Sequence, residues 1–137
     1  DLEWNYAAAG GSEQRKYPWG ATEPGFSTSH AVYNCLWDGT ICSGSCCLAS
    51  IAPVGSIPAG NGRWGQSDMA GNMSEWLYDG QGGFPPTCND CAQVMGTLRV
   101  VRGGMFSSLS AQSLETRLAE AGVPSSGSHG FRCAREL

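Results

Sequence analysis

The stretch DMAGNMSEW, residues 68–76, places two carboxylates, Asp68 and Glu75, around a Gly-Asn pair and runs directly into a tryptophan. Acidic side chains in this pattern allow three interpretations: the start of a helix, a metal-binding loop, or part of a catalytic site. In the first, Asp68 or Asn72 would cap a short helix that begins near Ser74. Asn-Met-Ser also matches the N-glycosylation triplet, to which we give little weight because the surrounding motif is apolar enough to be buried.

The seven cysteines indicate disulfides rather than a zinc site. Cys88 and Cys91 have the C-x-x-C spacing of half a zinc site, but the other half would need a second such pair or paired histidines. The two histidines, His30 and His129, are isolated in the sequence. A high cysteine density in a small domain favours an oxidising compartment. Because seven is an odd number, at least one thiol is free or pairs with another chain.

The composition indicates one compact, loop-rich domain over residues 1–137. The chain has 20 glycines and only 15 % charged residues, with a formal net charge of -4. This charge argues against a nucleic-acid or anionic-membrane partner, because both need clustered Lys and Arg. No apolar segment approaches the ~20 residues that a membrane span requires. The chain opens on Asp1 and carries no signal peptide, so we interpret it as a processed piece of a longer protein.

The N-terminal sequence DLEWNYAAAGG predicts the end of a helix. Leu2, Tyr6 and Ala9 fall on one face at helical spacing, and a double glycine supplies the stop. We expect the tryptophans to be core residues, because large aromatic side chains dominate the burial of apolar surface. The residues in question are Trp4, Trp19, Trp64 and Trp76.

Downstream, the pattern predicts irregular structure and short strands. Residues 20–62 hold Gly, Pro, Ser and Cys with almost no periodicity, which predicts a long irregular region pinned by cysteines. TLRVVRGGMF is the clearest strand, and GFRCAREL is typical of a final strand. SAQSLETRLAEAG could be a helix, but it follows a strand that ends in a double glycine and precedes the final strand. No domain boundary or linker is evident.

Five separated motifs occur in the order found in the formylglycine-generating enzyme family, also called the sulfatase-modifying-factor family. They are EWNYAAAGG, RKYPWG, APVGSIPAGNGRWGQSDMAGNMSEW, RVVRGGMF and GFRCAR, and they span Glu3 to Arg135. The chain resembles the C-terminal half of that family's domain, and its cysteine-rich segments resemble a secreted bacterial branch. The resemblance implies a partial domain with an α+β fold related to C-type lectins, loop-rich, with a small twisted antiparallel sheet.

The resemblance also implies a structural calcium ion at DMAGNMSEW. The ligands carried over from the family are the side chains of Asp68 and Glu75 and the carbonyl oxygens of Gly71 and Met73. Calcium takes about six to eight hard oxygen ligands, and Gly71 permits the turn that points carbonyls inward. The helix cap near Ser74 remains the alternative.

A second calcium site of the family pairs an Asn and the following carbonyl with an Asp. Asn34 and Cys35 match the first pair, whereas Cys46 stands at the position of the Asp. The second site would therefore lack its carboxylate ligand in this chain.

Enzymes of the family oxidise a sulfatase cysteine to formylglycine, with two active-site cysteines that hold a copper ion. Aligned on the double glycine of RVVRGGMF, those positions are Ser108 and Ser113. Serine hydroxyls are hard, weakly acidic oxygens and cannot replace the thiolates that select Cu(I), so we expect no copper site. A shifted alignment does not restore the pair, because no cysteine lies between Cys91 and Cys133. Serine catalysis at Ser108 would need a base, for which His129 is the nearest candidate in sequence.

The cysteine of GFRC commonly pairs, in the family, with a cysteine in the helix before the first double glycine, where this chain has Ala8. Cys133 is therefore expected to be the free thiol, a small buried hydrophobe in the final strand. The remaining six cysteines would form three bridges, one of them between Cys88 and Cys91. The other four, Cys35, Cys42, Cys46 and Cys47, would pair among themselves.

Together these features predict a non-catalytic binding or structural module that is extracellular, periplasmic or on the cell surface. The groove of such a fold could hold a peptide, a glycan or a protein ligand, and no nucleic acid is expected. The N-terminal remainder of its own domain, or another subunit, would be a further partner. The alternative is a sulfatase-activating oxidase that converts a substrate cysteine to formylglycine. A third class is a structural subunit of a surface assembly.

Overall fold

The computed structural model describes residues 1–37, 48–82, 92–115, 119–122 and 128–133. Its regular elements are short. They are helix α1 (Leu2–Ala8), strands β1 (Ser74–Gly80), β2 (Arg99–Arg102), β3 (Ala119–Gly122) and β4 (His129–Gly130), and 3-10 turns at Gly11–Glu13, Leu48–Ser50, Pro58–Gly60 and Ala111–Leu114. Loops connect these elements, which confirms the loop-rich α+β architecture. Within these ranges no helix has the length and apolar character needed to cross a bilayer.

Helix α1 ends where the sequence predicts. The double glycine at 10–11 adopts positive φ values of 67° and 68°, a conformation that glycine tolerates without strain. The buried face of α1 carries Trp4 and Ala8, whereas Leu2 and Tyr6 are 59 % and 60 % exposed. The apolar spacing of Leu2 and Tyr6 therefore marks an exposed stripe of the helix.

The four strands form one sheet in the order β3-β2-β1-β4. Strands β1 and β2 are antiparallel, with Glu75 opposite Arg102 and Trp76 opposite Val101, and β2 and β3 are also antiparallel. Strand β4 runs parallel to β1, with Ser74 opposite His129. The sheet is thus mixed, and the prediction of an antiparallel sheet is wrong for β4, because a strand that is not joined to its neighbour by a hairpin can run in either direction.

The strand predictions hold in part. TLRVVRGGMF contains β2, as predicted, but SAQSLETRLAEAG divides into the 3-10 turn Ala111–Leu114 and strand β3 rather than one helix. The final strand lies at His129–Gly130, slightly before most of GFRCAREL, and residues 134–137 are outside the described range. Between 20 and 62, the described residues form loops and two 3-10 turns, which agrees with the predicted irregular region.

Three clusters of buried side chains form the core. The first holds Tyr17, Ala31, Tyr33, Ala70 and Leu114, the second Trp4, Ala8 and Met69, and the third Val32, Ala52 and Phe106. Met69 and Ala70 belong to different clusters, and Met73 packs against the third. The turn at 69–73 is therefore the place where all three clusters meet.

The tryptophans are not all in the core. Trp4 is 7 % exposed, as predicted, and Trp19 and Trp76 are half-buried. Trp64 is 52 % exposed, so the prediction that it is a core residue is wrong. It lies on a loop and stacks on Tyr6, which is itself on the exposed stripe of α1.

Candidate functional site

Three chain segments cross at the turn 69–73, and backbone hydrogen bonds join them. The N–H of Gly71 donates to the carbonyl of Gly103 over 2.7 Å, and the N–H of Asn72 donates to Val32 over 2.7 Å. The N–H of Phe106 donates in turn to the Asn72 carbonyl over 2.8 Å. Gly71 has a φ of 77°, and a Cβ there would collide with the Val32 carbonyl. Glycine is therefore required where these segments cross.

The Asn72 side chain fixes a fourth segment to the same crossing. Its Oδ1 accepts the N–H of Ala52 over 2.9 Å, and its Nδ2 donates to the Ala52 carbonyl over 3.1 Å. Asn72 is 4 % exposed, so its amide is not presented for glycosylation in this fold. The helix-cap interpretation is wrong, because the residues from Ser74 onward form strand β1. Asn72 thus serves as an internal connector between loops.

Glu75 is a buried carboxylate surrounded by N–H donors. The indole Nε1 of Trp4 donates to its Oε2 over 2.6 Å. The guanidinium of Arg132 donates from Nε to both oxygens, at 2.8 Å and 2.7 Å, and its Nη2 also bonds Oε1. The same Nη2 donates to the Ser67 carbonyl over 3.0 Å. Arg132 therefore neutralises Glu75 and ties β1 to the residue that precedes Asp68.

The two carboxylates expected to bind calcium, Asp68 and Glu75, both accept hydrogen bonds from protein groups in this structure. Asp68 turns its Oδ2 toward the N–H of Gly55, at 2.7 Å, while the Glu75 oxygens face Arg132 and Trp4. Among the residues that the structure describes, no three His, Cys, Asp or Glu side chains are grouped so as to hold a metal. The calcium site implied by the family resemblance stays a prediction.

The residues of the second expected calcium site also hold backbone contacts. Asn34 and Cys35 adopt positive φ values of 53° and 57°. Their N–H groups donate to the carbonyls of Ser108 and Phe106, each over 2.9 Å. Asn34 and Cys35 thus hold the segment 105–108, which follows the double glycine at 103–104, through backbone hydrogen bonds.

Ser108, at the first of the two family cysteine positions, is part of a tight turn. Its Oγ accepts the N–H of Met105 over 2.9 Å, and its own N–H donates to the Met105 carbonyl over 2.9 Å. His129, the candidate base, stacks its ring on Trp76 with centroids 4.7 Å apart. Ser113 lies in the 3-10 turn Ala111–Leu114, and its side chain is outside what the structure describes. The Ser108 side chain therefore helps to hold the turn at residues 105–108.

A polar cluster made by Lys16, Tyr17, Glu23 and Glu115 lies beside the end of the 3-10 turn Ala111–Leu114. Leu114 packs with Tyr17 in the core, and Glu115 approaches Lys16 Nζ at 3.4 Å. Lys16 also pairs with Glu23 at 2.5 Å, and the Tyr17 hydroxyl donates to Glu23 over 2.7 Å. Burial, followed by the hydrogen bond to Glu23, raises the pKa of Tyr17, and the hydrogen bond from Lys16 lowers the pKa of Glu23.

The cysteines are described only in part. Cys133 is free, as predicted, but it is exposed and not the buried hydrophobe that was expected, because β4 ends at Gly130 and residue 133 lies beyond the sheet. Cys35 is disulfide-bonded and 7 % exposed. The expected bridge between Cys88 and Cys91 lies outside the described residues.

Sequence reasoning missed the partners that define this region. Trp4 and Glu75 lie 71 positions apart, and Arg132 and Glu75 lie 57 apart. No local spacing signals such pairs. The one available hint was that charged residues such as Glu75 and Arg132 are few, at 15 % of the chain, and stand among apolar neighbours.

Comparison with known proteins decides the family. The profile of the sulfatase-modifying factor enzyme 1-like domain matches residues 1–137. The chain belongs to this family. It is 33 % identical over 149 residues to a formylglycine-generating enzyme of Streptomyces coelicolor, a match that covers 99 % of this chain and 45 % of that protein. It is 28 % identical over 141 residues to the inactive C-alpha-formylglycine-generating enzyme 2 of Mus musculus, covering 96 % of this chain and 40 % of the relative.

Solved structures confirm the formylglycine-generating-enzyme-like fold. The structure of PvdO from Pseudomonas aeruginosa superimposes with a TM-score of 0.68 and 24 % identity, covering 94 % of this chain and 48 % of PvdO. Treponema denticola variable protein 1 gives a TM-score of 0.66 and 24 % identity, covering 94 % of this chain and 43 % of that protein. The chain thus spans less than half the length of the relatives and structures named here, and family membership covers both active and inactive proteins.

Proposed function

We propose that this chain is a non-catalytic binding or structural module of the formylglycine-generating enzyme family. The observation that carries the proposal is the bond between Ser108 Oγ and the N–H of Met105, 2.9 Å long. At the position where the family's enzymes carry a copper-binding thiolate, this chain carries a hydroxyl that closes a turn. A neutral hydroxyl is a poor ligand for Cu(I), which prefers soft sulfur donors.

Two further features support the proposal. One of the related proteins is named as an inactive formylglycine-generating enzyme, so loss of activity has a precedent among proteins of similar sequence. The side chains that contact Glu75, the buried Trp4 and the exposed Arg132, join distant segments of the domain. Asn72 and Glu75 of the DMAGNMSEW motif thus make structural contacts, with Ala52 and Trp4 respectively.

The setting and partners follow from the same proposal. A disulfide at Cys35 suits an extracellular, periplasmic or cell-surface location, because such bonds persist in oxidising compartments. The ligand would be a peptide, a glycan or a protein, and the rest of a longer family domain or another subunit would be an additional partner.

The second candidate function is that of a sulfatase-activating oxidase. It is favoured by the 33 % identity to the Streptomyces coelicolor formylglycine-generating enzyme, which exceeds the identity to the inactive mouse protein. For this function, another group of the chain would have to take over the role of the missing thiolates.

The decisive test supplies the protein with Cu(I) and a sulfatase-derived peptide that contains the target cysteine, and looks for the aldehyde by mass spectrometry. The Streptomyces coelicolor relative serves as a positive control. We expect no aldehyde from the wild-type chain. Aldehyde formation that is lost in Ser108→Ala would establish the oxidase instead.

A matched variant tests whether the two serines are the reason that the chain does not bind Cu(I). The double substitution Ser108→Cys with Ser113→Cys restores both thiols, and we expect it to bind Cu(I) in a competition assay with a chromogenic chelator. The wild-type chain is expected not to compete. Circular dichroism of both proteins shows whether the folds are comparable.

A further inference from the structure

Two large aromatic side chains form an exposed surface on the side of α1 that faces away from the core. Tyr6 is 60 % exposed and Trp64 is 52 % exposed. Their rings are stacked, with centroids 5.8 Å apart and an interplanar angle of 17°. We call this surface, made by Tyr6 and Trp64 with Arg63 beside them, the aromatic platform.

Gly11 lies close to both rings of the aromatic platform, with a φ of 68°. A Cβ at this position would stand 3.0 Å from the end of the Tyr6 ring and 3.2 Å from an edge carbon of Trp64. Glycine at this position therefore leaves room for both rings.

Polar contacts hold the platform from the side. The Arg63 guanidinium lies 5.5 Å from the Trp64 ring centroid and donates from Nη1 to the Gly10 carbonyl over 3.1 Å. It also pairs with Glu13 at 2.7 Å. The N–H of Trp64 donates to Gln66 Oε1 over 3.2 Å, which fixes the loop. Side chains that are ordered before a ligand arrives lose little entropy on binding, so this arrangement is suited to recognition.

The charges around the platform are balanced. Glu13 forms ion pairs with both Arg63, at 2.7 Å, and Arg15, at 2.6 Å. Glu3, exposed on α1 three positions before Tyr6, supplies a second negative charge. The charges of Glu13 and Glu3 thus offset those of Arg63 and Arg15, and these side chains give an ionic ligand no net attraction.

The size of the platform selects a small ligand. An aromatic side chain offers about 150–250 Å² in full burial, so two half-exposed rings present on the order of 200 Å². A stable protein interface needs about 800 Å² from each partner. The two rings by themselves therefore offer too little area for a stable protein interface, but enough to cover one or two sugar rings.

We propose that the aromatic platform binds a neutral glycan. The C–H face of a pyranose ring is apolar and stacks on an aromatic ring, while the hydroxyl groups at its edge bond to polar side chains such as Arg63 and Glu13. An uncharged ligand with one apolar face and a polar edge matches the exposed rings and the balanced rim. This site is independent of the chemistry at Ser108, since an active oxidase could carry the same surface.

The test titrates the protein with three neutral oligosaccharides, cellohexaose, maltohexaose and hexa-N-acetylchitohexaose, and follows tryptophan fluorescence and calorimetric heat. We expect at least one of them to bind. Trp64→Ala is expected to weaken that binding roughly thirtyfold, as for a residue at the centre of a binding site. Trp64→Phe should retain part of the affinity, and Tyr6→Ala should also weaken it.

The matched control is Tyr78→Ala, which removes another exposed aromatic side chain, 76 % exposed, from strand β1. We expect it to bind like wild type. Thermal unfolding of every variant shows whether the fold is intact, and Trp64→Phe provides the test if Trp64→Ala does not fold.

Three results would overturn the proposal: none of the three oligosaccharides binds at millimolar concentration, binding is the same in Trp64→Phe, Trp64→Ala and wild type, or decaproline binds the platform in their place. The aldehyde assay on the same preparations keeps the two proposals apart. Aldehyde formation would contradict the non-catalytic assignment and leave the glycan site standing, whereas failure of glycan binding would leave the assignment at Ser108 untouched.

Discussion

The Trp4 indole donates its Nε1–H to Glu75 Oε2 over 2.6 Å and so joins helix α1 to strand β1 inside the protein. Both residues are at least 90 % buried. A buried carboxylate without hydrogen-bond or charged partners would cost several kcal/mol. The Trp4 bond and the Arg132 ion pair together satisfy both oxygens, and this explains how an acidic residue can occupy a buried position of strand β1.

Removal of the Arg132 charge should destabilise the fold. We expect Arg132→Met to lower the free energy of unfolding by about 1–3 kcal/mol, because the buried Glu75 carboxylate loses the hydrogen bonds of its partly exposed partner. Urea unfolding measures the change. In the Arg132→Met background Glu75→Gln should cost less than it does in wild type. The control is Lys16→Met, whose exposed pair with Glu23 should contribute little to stability because solvent screens it. If Arg132→Met and Lys16→Met lowered the free energy of unfolding equally, the proposed role of the Glu75–Arg132 pair would be contradicted.

Calcium provides a second prediction. The calcium site implied by the family resemblance predicts a higher thermal unfolding midpoint in millimolar calcium than in excess EDTA, and the same midpoint in both would contradict it. An ion that binds only the folded chain would raise the midpoint with its concentration. A rise in wild type that Glu75→Gln abolishes would support the calcium site implied by the family resemblance, with Asp68, Gly71, Met73 and Glu75 as ligands.

Asn72 provides a third prediction. Asn72→Ala removes two hydrogen bonds to Ala52 and leaves that buried backbone unsatisfied, so we expect a loss of about 2–4 kcal/mol in chemical denaturation. The matched control is Asn61→Ala. Asn61 Oδ1 is buried and has no hydrogen-bond partner among the described residues, so its removal should be nearly neutral. A neutral Asn72→Ala would show that the segments are held by other contacts.

The buried tyrosine predicts a loss of stability in alkaline solution. Burial raises the pKa of Tyr17 above its ordinary value of about 10. A group with a raised folded-state pKa contributes its full stability below the unfolded-state value and loses it as the pH rises through the folded-state value. We therefore expect the free energy of unfolding to fall more steeply above about pH 10 in wild type than in Tyr17→Phe. Parallel pH profiles for the two proteins would remove Tyr17 as the cause.

The exposed thiol predicts selective labelling. Because Cys133 is free and exposed, iodoacetamide should modify it in the native protein without denaturation or reduction. Peptide mapping should place the label on Cys133 alone, and Cys133→Ser should remain unmodified. A label on any of the other six cysteines in the native, unreduced protein would overturn the assignment of the odd thiol.

The sequence predicted the local features of this fold and missed the long-range ones. The helix stop at 10–11, strand β2 and the irregular region were visible because glycine, β-branched residues and missing periodicity act over a few neighbours. The parallel pairing of β4 and the exposure of Trp64 were not visible, since both depend on where distant segments meet.

The candidate site shows the same division. The absence of the two thiols at 108 and 113 could be read from residue identities alone. The role of Ser108 in its turn could not be predicted in this way. A serine whose hydroxyl accepts a backbone N–H looks the same in the sequence as a serine whose hydroxyl points into solvent. Asn72 was noticed as a possible cap or glycosylation site, but its actual partner, Ala52, lies 20 positions earlier in a region without periodicity.

The crossing at Asn72 has a consequence for the speed of folding. The hydrogen bonds that meet there join Asn72 to Val32, Ala52 and Phe106. Each bond can form only after a chain loop of tens of residues has closed. Chains whose contacts lie far apart in sequence fold slowly, since the entropy of loop closure is lost before the contacts form. The disulfide at Cys35, close to one of these bonds, would shorten that search once formed, so the oxidised chain should reach its native state faster than the reduced chain.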